Sequence, residues 1–220
     1  MLSEDIKEIL HAVSQGFLIP AMAVLLLLLA VTAAIVGSLI AEALSERRRL
    51  KENIPRLVSQ LHKKSAEEME GQLRGSGLLK RQKRALLELL SYRALPPDEQ
   101  RTIAKKLIAQ EEAHYDRILG LTELISKIAP MFGLMGTLIP LGPGIMALGQ
   151  GDTKTLSDSI LVAFDTTVAG LISAAVCVVI TKLRKGWYEE YMVSIESIME
   201  CILEEVEANE QGAAQLQSAE

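Results

Sequence analysis

Three long apolar blocks interrupt a chain that is otherwise patterned for surface helices. From Phe17 to Ala43 nearly every residue is Leu, Ala, Val or Ile. A helix of that length is about 40 Å long, enough to cross a bilayer with some tilt. Residues 128–149 and 156–183 form two further blocks of spanning length. The polar residues 150–155 between them suffice only for a tight hairpin, so these two spans are expected to be antiparallel neighbours.

The remaining segments carry helical periodicity of a different kind. In residues 1–16, Ile6, Ile9, Leu10 and Val13 fall on one face, which predicts an amphipathic segment on the outer membrane surface or a helical lead into the first span. Residues 44–127 are rich in Leu, Glu, Lys and Arg, with breaks at Arg74–Gly77 and Leu95–Asp98. They predict three helices, the last opening at Pro97 and running into the second span. In residues 184–208, Met192, Ile195, Met199, Ile202 and Val206 recur at spacings of three and four, an apolar stripe that needs a partner. Trp187, Tyr188 and Tyr191 are placed for an interfacial aromatic belt. The small polar residues 209–220 are expected to be disordered. No strand pattern occurs, and the fold class is all-α: an integral membrane protein with three transmembrane helices and long helices extending into the cytoplasm.

Charge supplies the orientation. Arg47 to Lys51 follow the first span, Lys127 precedes the second, and Lys182, Arg184 and Lys185 follow the third. Basic residues near span ends stay on the cytoplasmic side, so the N-terminus and the hairpin are expected outside and the C-terminus in the cytoplasm. A cleaved signal peptide is the competing reading of the first block. It fits poorly, because the block is too long, its lead is acidic, and the basic run comes after it. The net charge of −5 averages a basic middle and an acidic tail, and does not point to nucleic acid. Cys177 and Cys201 are about 36 Å apart on a continuous helix, too far to pair.

Candidate chemistry concentrates in the second and third spans. Pro130, Gly133, Gly136, Pro140, Gly142, Pro143 and Gly144 lie in the second, and Gly170 in the third. Small residues let membrane helices approach closely. Pro140 and Pro143 cannot donate to the carbonyls of Gly136 and Ile139, so each freed carbonyl needs a side-chain partner or a water-lined cavity. Asp165 is the one acid away from the ends of a span; Glu42 and Asp158 stand at span ends. An isolated charge at that depth costs about 2.5–3.5 kcal/mol, so it is expected to face a bundle interior, as an ion-path residue or a helix-to-helix bond. Thr137, Thr166 and Thr167 add hydroxyls that either bond to their own helix or coordinate a passing cation.

Other chemistries find little support. Glu111 and His114 have the Glu-x-x-His spacing of carboxylate-bridged metal bundles, but the second copy such a site requires is missing. No phosphate loop and no nucleophile–base pair is present, so neither a catalytic residue nor a cofactor is expected.

Pro130, the run Gly133-Leu-Met-Gly136-Thr137, and Thr167-Val-Ala-Gly170-Leu171 in the third span resemble the MotA/TolQ/ExbB proton-channel family. Three spans, an outside N-terminus and a large insert between spans one and two are similar to the ExbB/TolQ branch. The resemblance covers roughly Ala129 to Arg184 and implies an inner-membrane, homopentameric ring. That ring would surround single-span partners similar to ExbD or TolR, which carry the membrane aspartate, with Thr137 and Thr167 beside it. The implied function is conversion of a proton gradient, or alternatively a sodium gradient, into movement of the partner. The alternative is a membrane scaffold that conducts nothing. ExbB and TolQ usually carry a glutamate five residues before the third-span threonine; this chain has Val162 there, with Asp165 three residues later.

Overall fold

The computed structural model describes residues 2–45, 54–62 and 64–217. Among these residues it contains only helices: α1 (Leu2–Gly16), α2 (Leu18–Ser45), α3 (Ile54–Leu61), α4 (Ala66–Gly75), α5 (Lys80–Ser91), α6 (Pro97–Gly149) and α7 (Thr153–Gln217). Among the described residues, three helical stretches, Glu8–Leu44, Pro97–Gly149 and Thr153–Ala208, are long and apolar enough to cross a membrane. The basic run Arg47 to Lys51 lies outside the described residues.

Two compact units divide the chain. The first comprises Met1–Leu39 with Leu119–Leu183, the second Ile40–Ile118 with Arg184–Glu220. In the first unit, Leu28 and Ile35 of α2 meet Ile125 and Ala129 of α6 and Ala174, Cys177 and Ile180 of α7. The hairpin between α6 and α7 turns at Gly151, whose φ of +80° favours a residue without Cβ. Asp152 then caps α7, accepting from the backbone N–H groups of Lys154 and Thr155 at 3.1 Å each. Those two bonds and the Thr155 hydroxyl, the largest influence, hold the Asp152 carboxyl below the usual carboxylate range.

The second unit answers where the Met192–Val206 stripe finds its partner. Ile195, Ile198, Met199, Ile202 and Val206 are buried within the chain against Leu57 and Leu61 of α3, Met69 and Leu73 of α4, and Leu86, Leu89 and Leu90 of α5. The stripe therefore needs no neighbouring subunit. The segment before Pro97 contains one more helix than its periodicity predicts. Ser65 ends the connection after α3 and caps α4, with Glu68 reaching back to its N–H, a Ser-x-x-Glu capping box.

Two further expectations are corrected here. Tyr188 and Tyr191 are buried rather than turned to an interface: Tyr188 stacks on Tyr115 with ring centres 4.4 Å apart, and Tyr191 lies 6.1 Å from Tyr188. The helix α7 also continues through Asn209 to Gln217, where small polar residues predict disorder. Ala, Gln and Glu are good helix formers, and an existing helix extends through them at low cost.

Candidate ion-path site

The helices α6 and α7 are held together at glycines. A methyl group added at Gly136 would lie 2.6 Å from Cβ and Oγ1 of Thr166. At Gly133 it would meet the Thr166 carbonyl at 3.2 Å, at Gly144 Cβ of Ser159 at 2.9 Å, and at Gly170 the Ala129 carbonyl at 2.7 Å. The small residues thus permit backbone contact that larger ones would prevent. Gly142, grouped with them in the sequence reading, is exposed, with nothing within 4 Å of the same position.

These contacts fix an antiparallel register. Gly144 faces Ser159, Gly136 faces Thr166, Gly133 faces Gly170, and Thr181 donates its hydroxyl to Thr122 at 2.6 Å. Each step toward the hairpin on α6 is matched by one on α7, which brings Thr137, Asp165, Thr166 and Thr167 to one depth. They do not share one face. Thr166 is buried, Thr137 and Thr167 are half-buried, and Asp165 is exposed. Two residues along a helix turn it by about 200°, so Asp165 and Thr167 point to nearly opposite sides of α7. Within one chain, the expected seam joining Asp165 to both threonines is not formed. Val162 is half-buried, and its carbonyl accepts the Thr166 hydroxyl at 2.9 Å.

Every threonine hydroxyl at this depth donates to its own helix. Thr137 bonds the Leu134 carbonyl at 2.7 Å, Thr166 the Ala163 carbonyl at 3.1 Å as well as Val162, and Thr167 the Ala163 carbonyl at 3.0 Å. With the proton committed, each oxygen keeps lone pairs for an incoming donor or cation.

The prolines act less drastically than expected. Pro130, Pro140 and Pro143 all lie inside an unbroken α6. The carbonyl of Ile139, which Pro143 deprives of its helical donor, accepts from the side-chain amide of Gln15 on α1 at 3.4 Å. Gln15 was not singled out by the sequence. Its signal was weak: one amide near the start of an apolar block.

Other polar contacts lie on an inner line of α7 through Thr166, Gly170, Ser173, Cys177 and Thr181. Ser173 and Thr122 are fully buried. The Thr32 hydroxyl lies 3.7 Å from the Cys177 sulfur. The recurrence of small and polar residues at three and four along α7 was a legible signal for this line. In the second unit, Arg184 is buried and its Nε donates to Glu42 at 3.0 Å. Glu111 accepts two bonds from Arg81, at 2.9 and 3.0 Å, which occupies the acid of the Glu-x-x-His spacing.

Comparison with known proteins covers much of this region. The sequence model of the MotA/TolQ/ExbB proton channel family matches residues 66–197. The biopolymer transport protein exbB1 of Vibrio cholerae serotype O1 is 36% identical over 92 residues, 40% of this chain and 40% of that protein. A putative biopolymer transport protein ExbB homolog of Methanothermobacter thermautotrophicus is 30% identical over 95 residues, 43% of this chain and 34% of that protein. The chain thus spans well under half the length of either relative.

Proposed function

Because the chain belongs to the MotA/TolQ/ExbB proton channel family and lies with its ExbB branch, we propose that it is a ring-forming subunit of an ion-driven membrane complex. It resides in the inner membrane with its N-terminus outside and its C-terminus in the cytoplasm. Five copies surround single-span partners of the ExbD or TolR kind, and protons crossing the complex move those partners to do transport or envelope work. Sodium ions are the second candidate for the transported ion.

The observation that carries this reading is the level of Thr137, Thr166 and Thr167, where every hydroxyl proton is committed to its own helix. Such oxygens offer lone pairs to a hydrated proton or a protonated carboxyl group. Thr137 and Thr167 are the half-buried members, and they are the positions offered to a partner's aspartate. Asp165, turned the other way, is an accessory charge and not the ion carrier. Pro130, Pro140, Pro143 and the glycines set the backbone geometry around this level.

Ring assembly draws its support from the family and from the apolar residues exposed on α6 and α7, including Leu134, Leu138, Ile145, Phe164 and Val168. Lipid or other subunits cover such residues.

Gradient-driven ion uptake in vesicles holding this chain and a single-span partner tests the reading. Thr167→Val keeps the shape and removes the hydroxyl; the complex is expected to assemble and uptake to be lost. Asp165→Asn is expected to retain more uptake than removal of the partner's aspartate. Full uptake by Thr167→Val would leave the glycine seam as the packing of a scaffold.

A further inference from the structure

We infer that Glu123 and Lys127 line a hydrated mouth at the cytoplasmic end of the ion path, on the face of α6 that leads up to Leu134 and Leu138. The inference rests on the orientation and the ion path proposed above, and adds two residues to them.

Depth is the first argument. The Thr122–Thr181 bond sets the register at this end of the unit. Lys127 is five residues further in than Thr122, and faces the level of Val176, five residues in from Thr181. Glu123 is level with Ile180. At these levels α7 is apolar on every side up to Leu183, interrupted only by the hydroxyl of Thr181 and the polar end of Lys182. The neighbouring part of α2 is Val31, Ile35, Val36 and Leu39, packed with Ile125, Ala129, Val176, Cys177 and Ile180. Glu123 and Lys127 therefore stand alongside segments of both other helices in which Lys182, at the margin, is the one charge. Just before the second span and beside the end of the third, such charges face a bundle interior, a water-filled cavity or the headgroups, not lipid tails.

Exposure is the second argument. Glu123 and Lys127 are both exposed and, among the described residues, neither takes part in an ion pair. They are four residues apart and so lie one above the other on a single face. Leu134 and Leu138 continue that face toward the hairpin. Going inward, the face thus changes from charged to apolar between Lys127 and Leu134. Val178 and Val179 of α7 are exposed at the same depth but point away from α6. At the level of Lys127 the charge is confined to one direction, and so is the water that must solvate it.

The test uses the assembled complex in inverted vesicles, with Cys177→Ala and Cys201→Ala as background and a membrane-impermeant cationic methanethiosulfonate as probe. Glu123→Cys and Lys127→Cys are expected to react within about tenfold of the rate of Lys105→Cys, an exposed position far from the spans. Val178→Cys and Val179→Cys are expected to react at least about tenfold more slowly than either. Equal rates on all faces mean that the two charges merely extend toward headgroups, and overturn the inference. So does a lack of reaction at 123 and 127. Labelling requires no ion flow, and uptake by the unsubstituted complex is read in the same vesicles. A failed ion-path reading shows as absent uptake, whereas a failed mouth shows as symmetric or absent labelling with uptake intact.

Discussion

Gln15 supplies the hydrogen-bond donor that Pro143 withholds from Ile139. The pair lies between α1 and α6, and converts a break in one helix into an attachment for another. An unsatisfied carbonyl in an apolar setting is costly, so the amide holds α1 where its bond is needed.

A double-mutant cycle measures this attachment. Gln15→Leu is expected to lower stability by about 1–3 kcal/mol. Pro143→Ala restores a backbone N–H for Ile139, so Gln15→Leu in that background is expected to cost much less. Denaturant unfolding in detergent reads both values, and equal costs in the two backgrounds would remove Gln15 as the compensating donor.

Glycine substitutions rank by what the added methyl meets. Gly170→Ala drives Cβ against the Ala129 backbone carbonyl at 2.7 Å and is expected to cost about 1–3 kcal/mol, the range for an overpacked core. Gly136→Ala meets Cβ of Thr166 at 2.6 Å, an atom that no rotamer change moves, and is expected to cost about as much. Gly142→Ala meets nothing and is expected to be neutral or slightly stabilising. Thermal unfolding of the three proteins in one detergent decides the order.

The stripe on α7 is satisfied inside the chain, so truncating it is expected to damage the subunit rather than its association. Ile198→Ala, at a position with no exposed surface, is expected to cost about 2–5 kcal/mol. Subunit number, measured by mass at a temperature where the variant remains folded, is expected to be unchanged. A variant that stays fully folded but dissociates would place Ile198 at a subunit interface.

The cap at Asp152 carries a pH dependence of known sign. Its folded carboxyl is held below the ordinary value, so its contribution is present above about pH 3.9, the unfolded value, and fades as pH falls through the lowered folded value. Asp152→Ala is expected to lower the thermal midpoint at pH 7, with the difference from the unsubstituted protein shrinking on acidification toward about pH 3. Asp152→Asn retains a capping oxygen and is expected to fall between the two.

The spans, the hairpin and the opening of α6 at Pro97 were legible because hydropathy and proline chemistry act locally. Ser65-Ala-Glu-Glu68 was equally local, and its capping box marks the start of α4. Tyr188 and Tyr191 show where local reading fails: their distance from the third span suited an interface, but the ring of Tyr115, more than 70 residues earlier, covers Tyr188 instead. The partner of the Met192–Val206 stripe was illegible for the same reason, since periodicity states that a face is covered and not by what. At the candidate site, the convergence of threonines on one depth followed from the hairpin. The outward turn of Asp165 depends on which face of α7 meets α6, and Gly133, Gly136 and Gly170 decide that through contacts no spacing argument reaches.

The glycine seam also has an entropic side. Gly and Ala possess no side-chain rotamers to freeze, whereas each Leu or Ile in their place would surrender about 0.5–1 kcal/mol of conformational freedom on docking. Where Gly133, Gly136 and Gly144 meet α7, and where Gly170 meets Ala129, the helices therefore associate with little ordering penalty and with few soft degrees of freedom left in the contact. Dispersion between backbones falls off steeply with separation, so a shift of even an ångström forfeits much of it. The seam has one good geometry and no gradual slope away from it. Thermal agitation that would loosen a joint of flexible side chains leaves α6 and α7, along this stretch, moving as one piece.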